Sequence, residues 1–98
     1  MKRIWKFLLT PEGVIEMPIN AEILSAGVQG EEIYIWAIVE PGSPTETRRF
    51  QTYGTGHQID IDPDYLWFIG TVFLGSLVFP LVFHVFEDRW TEPVKESY

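Results

Sequence analysis

Leu66 to Phe86 reads LWFIGTVFLGSLVFPLVFHVF, a run with no formal charge when His84 is neutral. By length alone it fits a membrane-spanning helix. Its composition points instead to paired strands, because β-branched and aromatic residues dominate it. Gly75-Ser76 stands near the middle, where a hairpin turns. Pro80 and His84 are ill suited to a lipid-facing helix, and the acidic flanks give no positive-inside signal. The stretch is therefore read as a β-hairpin, with no membrane contact. If it turns near Gly75, then Leu77, Val78, Phe79 and Pro80, with Leu81, form an apolar edge. Such an edge is either core or the interface with a second copy, since soluble monomers seldom expose one.

Outward from this hairpin the chain keeps the same grammar. Turn signals recur roughly every ten residues, the spacing of an all-β domain. Strands are expected at Lys2–Leu9, Val14–Met17, Ala21–Gly30, Glu31–Glu40 and Thr47–Tyr53. In the first, Trp5, Phe7 and Leu9 share a face. In the third, Leu24, Ala26 and Val28 alternate with Ile23, Ser25 and Gly27, which puts the first set on the apolar face. Glu31–Glu40 is apolar on both faces, as in a central strand covered on two sides. No segment has a sustained helical period. The expected fold is a small all-β domain over residues 1–88, an antiparallel sheet or barrel of about six strands that oligomerises, with a polar tail at 89–98 that frays.

Bulk composition narrows the function. The chain has 98 residues, 46% apolar and 15% aromatic, too rich for disorder. Its net charge of −7 opposes direct nucleic-acid binding. Cysteine is absent, which removes disulfides, thiolate metal sites and thiol nucleophiles. Met-Lys-Arg precedes an apolar run that Lys6 interrupts, so no secretion signal is read there, and a reducing cytoplasm is expected.

The candidate site centres on RRFQTYGTGH, Arg48 to His57. The Gly54-Thr55-Gly56-His57 backbone can present N–H groups to an anion, although by itself it reads as a turn that ends a strand. Arg48 and Arg49 are adjacent on a strand and point to opposite faces, so they are not expected to line one site within a protomer. One is expected to pair with Glu46 or with a glutamate of the neighbouring strand; the other is free for a phosphate or carboxylate. Tyr53 or Trp36 can stack on a base. Asp60, Asp62 and Asp64 resemble the start of a calcium loop, but Tyr65 and Thr71 occupy positions where that loop needs Gly and Glu, so no metal is expected. His84 is read as a strand histidine with hydrogen-bond partners. No nucleophile, base and acid grouping stands out, so neither an enzyme nor a cofactor is expected.

Several pieces in order, IWKF, EMPxxAEILS, IWAIVEP, TRRFxxYGTGH, FIGTV and LVFHVFE, together resemble a widespread family of small bacteriophage proteins described only as a domain of unknown function. The likeness covers nearly the whole chain. It implies a viral protein made in the host bacterial cytoplasm, and it assigns no activity. Family members carry a shorter, more polar, glycine-rich turn where this chain has FLGSLVFPL, so a contact made there belongs to this protein. By analogy of class, a small phage accessory protein suggests host immune evasion. The leading expectation is an anti-defence sponge that sequesters a small anionic nucleotide. The alternatives are an acidic, anti-CRISPR-like inhibitor that binds a host defence protein and mimics nucleic acid through Glu31, Glu32, Asp60, Asp62 and Asp64, and a minor virion or assembly protein.

Overall fold

The computed structural model describes residues 1–90; of the tail expected to fray, Arg89 and Trp90 are instead hydrogen-bonded to the domain, and residues 91–98 lie outside the described residues. It contains seven strands, where about six were expected: β1 (Arg3–Leu9), β2 (Val14–Pro18), β3 (Glu22–Gln29), β4 (Glu32–Val39), β5 (Thr45–Gly54), β6 (Leu66–Gly75) and β7 (Pro80–Asp88). A single 3-10 turn, Pro63–Tyr65, precedes β6. All strand pairs are antiparallel. The strands form two sheets, β1-β4-β3 and β2-β5-β7-β6, and among the described residues no hydrogen-bonded ladder joins them into a barrel. The chain crosses between sheets at the turns after β1, β2 and β4.

The sheets face one another across an apolar core. Met17, Ile35, Ala37, Phe50, Val72 and Val85 are buried there, each placed by the two-residue period of its strand. The sheets come close where Gly70 of β6 lies against the backbone of Ala26 in β3; a Cβ on Gly70 would sit 3.6 Å from the Ala26 carbonyl oxygen.

Two expectations about faces are corrected. In β3 the register shifts between Ile23 and Ser25. Leu24 is the extra residue of a bulge and is exposed, while Ile23, Ala26 and Val28 pack on the core. Alternation read straight through the bulge assigns Ile23 and Leu24 to the wrong faces. In β4, Ile35, Ala37 and Val39 are buried, but only the inner side is covered by the other sheet. On the outer side Trp36 lies over Gly27, and the Lys6 ammonium sits 4.6 Å from the Tyr34 ring centre.

The decisive stretch is a hairpin. Gly75 (φ +85°) pairs with Pro80, the Ser76 N–H donates to the Phe79 carbonyl, and the Ser76 hydroxyl accepts from the Val78 and Phe79 N–H groups. Among the described residues no helix is long and apolar enough to cross a membrane. The ladder between β5 and β7 ends at Gly54–Phe83. Beyond it, Phe73–Val82 continues as a two-stranded arm, with Leu77 fully exposed and Val78, Phe79 and Phe73 at least 70% exposed.

Candidate functional site

Inside β7, Val85 and Glu87 are in phase, so the sheet carries a carboxylate into the core. Glu87 is buried, and it is hydrogen-bonded by the Nε groups of both Arg48 and Arg89. Arg48 also donates to the Ala21 carbonyl at 2.9 Å. Burial alone would raise the Glu87 pKa; the hydrogen bonds and charges of Arg48 and Arg89 outweigh it and hold the carboxyl below its ordinary value. The Arg89 guanidinium lies 4.0 Å from the centre of the Trp67 ring, a cation–π contact that fixes its plane. Its backbone N–H donates to the Tyr65 carbonyl at 2.9 Å.

Next to this network the sheet has a notch. β7 ends at Asp88, opposite Arg49, so among the described residues Thr45–Arg48 of β5 have β2 on one side and no strand on the other. The resulting concavity, about 900 Å³, is lined by Asn20, Ala21, Glu46, Thr47, Arg48, Arg49, Glu87, Asp88, Arg89 and Trp90. Because it opens through the sheet edge, residues of both faces reach it. This corrects the expectation that Arg48 and Arg49 do not share one space within a protomer. Arg48 has the pairing expected of one arginine, with a glutamate of the neighbouring strand. Arg49 makes no ion pair among the described residues. Glu46 accepts from the Asn20 N–H, and Asp88 accepts from Gln51 and the Trp90 N–H.

The other residues of the expected site lie elsewhere. Trp36 is on the outer face of the other sheet. Tyr53 and the glycine turn are at the far end of β5. The Tyr53 hydroxyl donates to Asp60 at 2.9 Å, and burial, followed by that bond and the charge of Asp60, pushes its pKa up to about 12. Gly54-Thr55-Gly56-His57 is a closed turn: the His57 N–H donates to the Gly54 carbonyl, and the Gly54 N–H donates to His57 Nδ1. These two N–H groups are engaged within the turn. A Cβ on Gly54 would collide with the His57 ring, so the glycine makes room for the histidine. His84 is held between the Thr55 and Thr71 hydroxyls at 2.8 and 3.0 Å, as a strand histidine should be. Asp62 caps the 3-10 turn through the Asp64 N–H.

Sequence reading missed Arg89, Asn20 and Trp90, and the central part of Glu87. One signal was available: Glu87 keeps the inward phase of Val85, and a buried carboxylate requires a cation.

No curated protein and no solved structure is detectably similar to the chain. Its sequence matches the domain of unknown function DUF7352 over residues 1–96, nearly its whole length, and the chain belongs to that family.

Proposed function

We propose that this is a small phage accessory protein that works by capture, and that it sequesters a compact anion of the nucleotide class in the notch beside β7. One observation carries the reading: three of the four arginines of an acidic chain line that single concavity. Arg48 and Arg89 share one carboxylate, so one of their two charges is left unmatched. With Glu46 and Asp88 included, the lining residues balance in formal charge, in a molecule of net charge −7. An anion therefore meets less repulsion there than over the rest of the surface. Arg49 and the outer edges of Arg48 and Arg89 provide forked donors for phosphate, and Trp90 provides an aromatic face for a base. The bacteriophage resemblance supports the counter-defence setting.

The test is a melting-temperature screen with cyclic oligonucleotides and ADP-ribose derivatives. A ligand at one hundred times its Kd stabilises the native state by about 2.7 kcal/mol. One compound should raise the melting temperature by several degrees, and Arg49→Ala should abolish the rise without lowering the unliganded value. A flat panel sinks the proposal. It would favour a second reading, a direct protein inhibitor, which draws support from Glu12, Glu31 and Glu32 lining one groove. In that case neutralising those carboxylates, not Arg49→Ala, should remove inhibition.

A further inference from the structure

The arm Phe73–Val82 is the largest feature that the notch leaves unexplained. It has no charged residue, in a chain of net charge −7. Leu74 and Leu81, opposite one another, continue the core-facing side of the hairpin; Phe73 and Val82 make its other side; Leu77, Val78 and Phe79 form the tip. Phe73, Leu77, Val78, Phe79 and Leu81 together expose on the order of 600 Å². A soluble chain seldom leaves so many large apolar side chains uncovered on one short segment.

At the arm's base lies a groove of about 670 Å³, lined by Leu9, Ile33, Phe50, Leu74 and Phe83, with Glu12, Glu31 and Glu32 among its polar residues. The chain therefore carries an apolar ridge and a groove with apolar residues to receive it, three glutamates beside them. When two identical arms lie side by side and antiparallel, the tip of each meets the base of the other, which is where the groove is. We propose that the arm seats a second copy of this chain, in a two-fold dimer that places Leu77 and Phe79 of each protomer in the other's groove.

Three further arguments fix the occupant. Seating the two tips, with the groove walls they cover, buries on the order of 1,200 Å², the lower end of the range of stable protein–protein interfaces. Two acidic molecules repel, and an uncharged arm lets them meet with the least apposition of like charge. Among the described residues the arm edges also have free backbone groups, because β5 stops at Gly54 and β6 is the outermost strand of its sheet. Pro80 lacks an N–H, so β6 offers the fuller edge for strand pairing. This inference does not depend on the anion notch, which lies at the opposite end of β7.

The experiment uses sedimentation velocity of the full chain over a concentration series, with far-UV circular dichroism as the folding control. The wild-type chain should sediment at twice its 11.4 kDa mass. Phe79→Asp should keep the β spectrum and raise the dimer Kd at least roughly tenfold, the effect of charging a central contact. The chain has no cysteine, so a mixture of Phe79→Cys and Glu32→Cys chains should form a mixed disulfide on oxidation. Phe79→Cys with Ser25→Cys, on the outer face of the other sheet, should not. Monomers at every concentration would overturn the proposal, and so would a dimer indifferent to Phe79→Asp. Flotation of a monomeric chain with phosphatidylcholine vesicles would assign the arm to lipid instead.

Discussion

Glu87 and Arg48 are adjacent in the folded protein and 39 residues apart in the chain. Their bond is a long-range clasp between β5 and β7, and Arg89 closes it from the other side. Taking a carboxylate out of water is costly, and only the full set of donors compensates for that. Glu87→Gln keeps the shape but leaves Arg48 largely buried without its counter-charge. A loss of about 3 kcal/mol is expected in urea unfolding. The wild-type clasp also makes stability pH-dependent. The folded pKa of Glu87 lies below the unfolded one. Its contribution is therefore complete above the unfolded value, about pH 4.3, and disappears as pH falls through the lower folded value. Melting temperatures measured from pH 6 down should fall less steeply for Glu87→Gln than for wild type.

At the level of elements, the turn after β1 shows how one residue directs the chain from one sheet to the other. Gly13 has φ +71°, its carbonyl accepts from the Phe50 N–H at 2.7 Å, and a Cβ there would strike the Phe50 carbonyl oxygen. Gly30, in the turn between β3 and β4, has φ +63° and open space around it. Gly30→Ala meets only the left-handed backbone penalty, about 1 kcal/mol. Gly13→Ala meets that penalty and a backbone collision, so its cost should be larger by about 2 kcal/mol. Urea unfolding of the two variants in parallel checks the order; equal losses would mean that the collision relaxes without cost. This contrast also marks what was legible in the sequence. Strand positions, the turn at Gly75 and the hairpin nature of Leu66–Phe86 were readable, because they rest on local propensity and a two-residue period. The pairing of β1 with β4, and of β5 with β7, was not, because partners are chosen by burial across the whole chain. Leu24 was misread because a bulge resets the period, and nothing in the neighbouring residues announces it. The glycine turn at Gly54 was readable as a turn. The notch was not, since it exists only because β7 stops one residue pair short of Arg48.

For the whole molecule, charge separates the two binding proposals. At −7 per chain, two copies approach against repulsion, and that repulsion is long-ranged, while the arm itself is uncharged. Added salt shortens the screening length from roughly 30 Å at 0.01 M to about 10 Å at 0.1 M. Screening removes the penalty on association and leaves apolar burial intact, so the dimer should tighten as sodium chloride rises. Anion capture should respond in the opposite sense. Arg49 and Arg89 attract a phosphate through charge, chloride competes for the same forks, and affinity should drop over the same range. The two measurements, sedimentation and ligand titration across one salt series, therefore carry opposite expected slopes in a single protein. If ligand affinity rises with salt in parallel with dimerisation, the anion is not held by the notch of one protomer. Binding would then depend on the dimer, and the residues between the two copies would be the place to look for the site.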